Sequence, residues 1–488
     1  MEWIDTGILE LQQQMENGTL SAKALTLAYL KRIQAFDDQI CSIAELNPDA
    51  ISIAEALDRE RVLHGPRGPM HGIPVLLKDN ISTGDKMHTT AGSVALSDNF
   101  ASHDAPVVQA LRRAGAVILG KTNLSEFARY IAMEFPDGYS SRGGQVKNPY
   151  GAHLPVSGSS SGSAAAVSSS FCAVAVGTET AGSISCPSMH NGICGLKPTV
   201  GLVSRSGIIP ICNQDTAGPM GRTVTDCAIL LGAMTTAEDP EDPATHCTAH
   251  LIHSDYTQFL KPDGLRGMRI GVNRVRCEPE LFPGDCEAIF EQALESMRQA
   301  GAELVKCDIP YTGLEGGILS QATLLYEFQA ALDAYLAHYA TGQCHRLADI
   351  IAYNQAHADI ALRYGQDLLT AAQFETSGRL LESAYWDRKF EAIEQGQMNG
   401  IDRALLEKRL DVIVCAGYSN LPPITGYPVM VVPMGISETG LPVGLSFYAG
   451  AFQEPKILQA AYGYEQYTHH RTPPVLKPVS SEVMQRTD

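Results

Sequence analysis

The sequence predicts an α/β protein whose central mixed β-sheet is covered by helices on both faces, with a helical insertion. Three observations carry this: two helix-to-strand units, a wholly helical stretch after them, and a return of strand character near the C-terminus. In chain order, Ser21 stands as an N-cap before a stripe of Leu25, Ala28, Tyr29, Ile33 and Phe36, which reads as an outer helix. Asp104-Ala-Pro106 opens a second helix, capped by the aspartate, with Val107, Val108, Leu111 and Ala114 on one face. It closes at Gly115, and Ala116-Val-Ile-Leu119 follows as a buried strand. The second unit runs from Ile289, Phe290, Ala293, Leu294 and Met297, closed by Gly301, into the strand Glu303–Cys307. Residues 310–408 read as helical, with a stripe at Leu324, Tyr326, Ala330 and Leu332. Strands return at Val412–Val414, Val429–Val432 and Val443–Tyr448. Strands on both sides of a helical stretch predict one body: outer N-terminal helices over 1–65, a core over 66–235, a mostly helical variable region over 236–408, and a return to the sheet over 409–488.

Composition narrows the function classes. The chain has 488 residues, 44% hydrophobic and 18% charged, which excludes disordered and fibrous classes. Lys plus Arg total 36 against 54 Asp plus Glu, and the net charge of −18 repels a phosphate backbone, so no direct nucleic-acid partner is expected. The first 40 residues lack a basic segment followed by an apolar one, and no apolar run approaches the ~20 residues that span a bilayer. A soluble, cytoplasmic protein without a membrane partner is expected, as a monomer or homodimer. Twelve cysteines without a Cys-x-x-Cys pair read as small buried hydrophobes in a reducing compartment.

Three stretches carry chemistry. Ser157-Gly-Ser-Ser-Ser-Gly-Ser163 precedes the apolar run Ala164–Val167, which reads as a turn presenting backbone N–H groups and opening a buried helix. Within it, Gly158-Ser-Ser-Ser-Gly162 matches Gly-x-Ser-x-Gly, which would make Ser160 a nucleophile, although no strand precedes it. Farther on, the apolar strand Ala173–Val176 leads into Gly177-Thr-Glu-Thr-Ala-Gly-Ser183, where small residues allow the N–H groups of Thr180, Ala181, Gly182 and Ser183 to converge as an oxyanion hole requires. Upstream, Gly72-Ile-Pro-Val-Leu-Leu-Lys78 ends an apolar strand in a lysine that is either solvated at the edge or buried with a lowered pKa.

Together these stretches resemble the amidase signature family of serine hydrolases. The resemblance extends to Gly120-Lys-Thr-Asn-Leu-Ser-Glu126-Phe, Asn148-Pro, Gly195-Leu-Lys-Pro-Thr-Val-Gly201 and Asp215-Thr-Ala-Gly-Pro-Met-Gly-Arg222, and covers most of residues 20–235 and 425–465. It implies a Ser-cisSer-Lys triad with Ser183 as nucleophile, Ser159 as the bridging serine after a cis bond from Gly158, and Lys78 as base. It also implies a single domain over 1–488 and no metal or cofactor. Where the family usually has Gly-Thr-Asp-x-Gly-Gly-Ser-x-Arg, this chain has Glu179, Ala181 and Ser185, and the missing arginine argues against anionic substrates. The glutamate, the segment Leu325-Tyr-Glu-Phe328 and the ending Gly440–Phe447 look most like the peptide amidase branch, which implies hydrolysis of a C-terminal peptide amide or related small amide to carboxylate and ammonia. The stretch Val414–Tyr427, expected to line the pocket, is short.

Rival readings are few. His246, His250 and His253 are spaced like metal ligands but sit in a polar loop, and His469-His470 reads as a solvated pair. The family also includes the ammonia-generating glutaminase subunit of tRNA-dependent amidotransferases, and aryl-amide or carbamate hydrolases. A non-catalytic binding protein is disfavoured because all three triad positions are intact.

Overall fold

The computed structural model describes residues 3–210, 213–236, 238–246, 249–275, 283–310 and 318–477. In chain order the strands are β1 Ile43–Leu46, β2 Pro74–Lys78, β3 Val117–Thr122, β4 Tyr139–Ser140, β5 Gly144–Gln145, β6 Val174–Glu179, β7 Cys194–Lys197, β8 Thr216–Gly221, β9 Arg269–Val272, β10 Glu303–Lys306, β11 Val412–Ala416, β12 Val429–Ile436 and β13 Pro442–Tyr448. Apart from the β4–β5 pair, they form one sheet among the described residues, in the order β1-β3-β2-β6-β8-β7-β12-β13-β11-β9-β10. Parallel pairings of β2 with β3 and β6, and of β9 with β10 and β11, combine with antiparallel ones elsewhere, so the sheet is mixed as expected. Strands covered on both faces must be apolar on both, and Val75, Leu76, Leu77, Val174, Ala175 and Val176 are all fully buried.

Ser21 caps the helix Ala22–Ile40, its hydroxyl accepting from the Ala24 amide at 3.1 Å. The next expected cap differs: the helix Pro106–Arg113 begins after Ala105, and Asp104 turns away to accept from the Gly84 amide at 2.8 Å and pair with Arg112 at 2.9 Å. An ion pair with its own helix's last turn outcompetes the cap. The helix Cys286–Gln299 ends before Gly301, whose φ of +95° makes the turn into β10, and β10 stops one residue before Cys307.

After residue 317 the chain is helical over Ile318–His338, Leu347–Ala356, Asp367–Phe374 and Ser383–Glu391, then through a wider-wound π segment, Ala392–Ile401, into Asp402–Lys408. Residues 311–317 of the expected helical stretch lie outside the described residues, as do Cys212, Cys247 and Cys277. The stripe expected on the first of these helices is met at Leu324 and Leu332, which are buried, but not at Tyr326, which is half-buried, or at Ala330. Leu324, Phe328, Leu332, Tyr335 and Leu336 are buried, while Ala330 is exposed. They pack with Phe127, Tyr130, Ile131 and Phe135, so the insertion closes over the segment that follows β3.

The helix Ser161–Ser168 is buried at every residue. Small side chains permit this: a Cβ on Gly162 would lie 2.3 Å from the Asn123 carbonyl and 2.4 Å from that of Ser42. No helix among the described residues is long and apolar enough to cross a membrane.

Candidate active site

Strand β2 delivers Lys78 at its C-terminal end, beside β6. The side chain is fully buried. Its Nζ donates to Ser159 Oγ at 2.7 Å, to Thr178 Oγ1 at 2.9 Å and to the Thr178 carbonyl at 3.2 Å. Removal from water disfavours the ammonium, and the fields of Asp215 and then Glu179 oppose this only in part, so the pKa falls from 10.5 to about 7. Of the two readings open for this lysine, the buried one holds.

The peptide bond from Gly158 to Ser159 is cis, and the Ser159 carbonyl accepts from the Ser125 amide at 3.1 Å. The neighbouring Ser160 does not fit the elbow reading. Its Oγ donates to the Thr178 carbonyl at 3.0 Å and accepts from the Thr178 amide at 3.2 Å, so the hydroxyl braces the start of the buried helix against β6. Its amide donates to the Ser183 carbonyl at 3.1 Å, which draws the turn after β6 against the serine loop.

That turn holds Thr180, Ala181, Gly182 and Ser183, and none of their four amides donates to a protein acceptor among the described residues. Ser183 is 8% exposed, and its hydroxyl makes no hydrogen bond to another described residue, Ser159 included. Gly182 sits at φ +84°, and a Cβ there would meet Cys186 Sγ at 2.9 Å and the Tyr418 ring at 3.0 Å. Thus the stretch Val414–Tyr427 reaches the site through Tyr418.

Two carboxylates that sequence reasoning did not place in the site hold this turn. Glu179, the last residue of β6, accepts from the Ile184 amide at 2.7 Å and from the Ser185 amide and hydroxyl at 2.8 and 2.9 Å. The departures at positions 179 and 185 are therefore partners, and their joint occurrence was the available signal. Asp215 accepts from Thr180 Oγ1, and Gln214 donates to the Thr180 carbonyl at 3.0 Å.

A cavity of about 530 Å³ opens beside the site. Neither serine lies on its wall; it meets the site through Thr178, the partner of Lys78, and Thr180, the first residue of the turn. The histidines set aside as metal mimics are used otherwise: His253 packs edge-on against Tyr256 and Phe259, and His246 faces Glu238 at 3.9 Å. His470 is half-buried and bonded to Tyr464 Oη at 3.1 Å, not solvated as its sequence position suggested.

The model of the amidase family matches residues 24–424. A probable amidase of Arabidopsis thaliana is 39% identical over 469 residues, covering 93% of this chain and 88% of its own length. The crystal structure of native peptide amidase from Stenotrophomonas maltophilia is 44% identical and superposes with a TM-score of 0.92 over 97% of this chain and 99% of that one. A glutamyl-tRNA(Gln) amidotransferase subunit of Thermosynechococcus vestitus is 32% identical over 508 residues, 96% of this chain and 99% of its own. Fold and likeness together define a hydrolase acting on amide C–N bonds. The chain belongs to the amidase family.

Proposed function

We propose that Ser183 is the nucleophile, Ser159 the proton relay and Lys78 the base, and that the substrate is the C-terminal carboxamide of a peptide. The observation that carries this is the buried Lys78, with its pKa lowered to about 7, bonded to Ser159 at 2.7 Å. A serine hydroxyl attacks only when a base removes its proton, and a lysine serves as base only when neutral. Ser183 Oγ bonds to the carboxamide carbon while its proton passes to Ser159 and that of Ser159 to Lys78. The amides of Thr180 to Ser183 supply donors for the oxyanion. Collapse breaks the C–N bond, the proton returns through Ser159 to the departing nitrogen, and ammonia leaves. Water then attacks the acyl-enzyme by the same relay and frees the carboxylate. The relay requires Ser183 Oγ within hydrogen-bond reach of Ser159 Oγ in the substrate complex.

The 44% identity to a peptide amidase over nearly the whole chain supports the peptide-amide reading. The test is mass-spectrometric: incubation with a blocked peptide amide should raise the product mass by one unit as the amide becomes acid, with ammonia released. A serine-directed phosphonate should map to Ser183. Adduct on Ser160, or hydrolysis of glutamine but of no peptide amide, would overturn the assignment, the latter in favour of the amidotransferase reading that the 32% likeness allows.

A further inference from the structure

Resting on the reading of Lys78 as base, we infer that Thr178, steadied by Asn80, is a positioning residue that aims the lone pair of the neutral amine at Ser159. A neutral lysine carries two N–H bonds and one lone pair, and the neighbour that meets the lone pair is the one whose proton it can take. Lys78 Nζ is fully buried and has three hydrogen-bond partners among the described residues: Ser159 Oγ at 2.7 Å, Thr178 Oγ1 at 2.9 Å and the Thr178 carbonyl at 3.2 Å. The carbonyl has no hydrogen and can only receive an N–H. If the Thr178 hydroxyl receives the other, the lone pair is left facing Ser159. If the hydroxyl instead gave its proton to Nζ, the lone pair would be consumed there, and Ser159 would face an N–H that accepts nothing.

The surroundings of Thr178 favour the first arrangement. Its amide donates to Ser160 Oγ at 3.2 Å, its carbonyl accepts from the same hydroxyl at 3.0 Å, and the sheet pairs it with Ala217 of β8. The side chain is β-branched and stiff at χ1. Asn80, 3% exposed, donates from Nδ2 to Thr178 Oγ1 at 3.1 Å. The same Nδ2 faces the Ile209 carbonyl at 3.4 Å, and the Ile209 amide donates to the Asn80 carbonyl at 2.8 Å, so the carboxamide is held with its donor end toward Thr178. Of the three positions around Oγ1, Asn80 fills one and an N–H of the ammonium the second, which leaves the third for the hydroxyl proton. When Lys78 gives up the proton shared with Ser159, nothing in that arrangement has to turn. The lone pair appears already aimed.

The test is the rate at which an alkyl fluorophosphonate labels Ser183 between pH 5 and 9, read by intact mass, which assumes nothing about the natural substrate. In that reaction Ser183 Oγ bonds to phosphorus, fluoride leaves, and the hydroxyl proton passes through Ser159 to Lys78. The wild type should show an acid limb that bends near pH 7. Thr178→Val, which keeps the shape and removes the acceptor, should lower the plateau by about tenfold or more. It should also move the limb down by about one pH unit, because the ammonium loses an acceptor. The charges that act on Lys78, those of Asp215 and Glu179, are the same in this variant, so the displacement reports Thr178 itself. Thr178→Ser should restore most of the rate, with the limb near pH 7. Asn80→Ala should lower the plateau of the wild type but add nothing to Thr178→Val, where no hydroxyl is left to hold. If the valine variant does not fold, Thr178→Ala takes its place. Wild-type rates in Thr178→Val, a plateau that falls with the limb unmoved, or Asn80 and Thr178 effects that simply multiply would overturn the inference and leave Lys78 as base. A wild-type profile without an acid limb near pH 7 overturns both.

Discussion

The lowered pKa of Lys78 makes the pH profile the most exposed consequence of the proposed mechanism. With an ordinary pKa of 10.5, about 0.03% of a lysine is neutral at pH 7; with a value of about 7, half of it is. That gain of some three orders of magnitude in usable base is what burial supplies. In the free enzyme kcat/KM should therefore rise about tenfold per pH unit on the acid side, bend near pH 7 and level off above pH 8, so that activity at pH 6 is about a tenth of the plateau. Lys78→Arg should lose at least about 10³-fold, close to Lys78→Ala, because guanidinium stays protonated and accepts nothing from Ser159. Ammonia release from a peptide amide between pH 5 and 9 measures all three proteins, with circular dichroism as the check on folding. An acid limb that survives unchanged in Lys78→Ala, or an arginine variant that keeps its activity, would refute the argument and leave Lys78 an orienting role.

Other outcomes follow from the same geometry. Burial also costs stability: below pH 7 the folded chain holds a charged Lys78, and between pH 7 and 10.5 it binds fewer protons than the unfolded chain, so this group's penalty shrinks as pH rises through that window. Lys78→Met should accordingly raise Tm over the wild type more at pH 6 than at pH 9, and a difference independent of pH would contradict the burial of the ammonium. Ser183→Ala and Ser159→Ala should each lower kcat by about 10³–10⁶-fold with the circular dichroism spectrum intact, and only the former should abolish phosphonate labelling of the 183 site. Gly182→Ala, forced to φ +84° against the Tyr418 ring, should lower both Tm and kcat. Wild-type values for both would mean that the turn has another shape.

What the sequence makes legible divides along a physical line. Strands buried on both faces read as apolar runs, and the small-residue stretches around Ser159 and Ser183 stand out because nothing in a core needs so many hydroxyls. The pairing of those stretches is different in kind. Lys78 meets Ser159 across 81 residues and Thr178 across 100, and no spacing rule spans such intervals, so their juxtaposition was legible only through the resemblance to a family. Ser160 shows the hazard of a local motif. The glycine pattern around it is intact, yet its hydroxyl is consumed by the Thr178 backbone. The helix carrying Leu324 was legible as a helix and in the burial of Leu324 and Leu332, but not in the rest of its buried face, because periodicity is a local property while that face depends on Phe127, Tyr130 and Phe135, about two hundred residues away.

The two carboxylates near Lys78 set how far its basicity falls, which bears directly on its proposed role as base. A carboxylate bonded directly to the lysine would hold it as ammonium and leave no base. Neither Glu179 nor Asp215 is so placed. Glu179 is turned onto the Ile184 and Ser185 amides and Asp215 onto Thr180, where both hold the turn and act on Lys78 only through space, limiting its fall to about 7. Turn geometry and lysine basicity are therefore coupled through the same groups, and Glu179→Gln should separate them. Loss of the charge removes one of the fields that raise the Lys78 pKa, so the acid limb of kcat/KM should move to lower pH. A glutamine oxygen also accepts more weakly from two amides and a hydroxyl than a carboxylate does, so the plateau should fall by about tenfold or more. A plateau that falls without any displacement of the acid limb would show that Glu179 acts on the turn alone. A limb that moves to higher pH would contradict the sign of the field and, with it, the account of how this lysine is kept neutral.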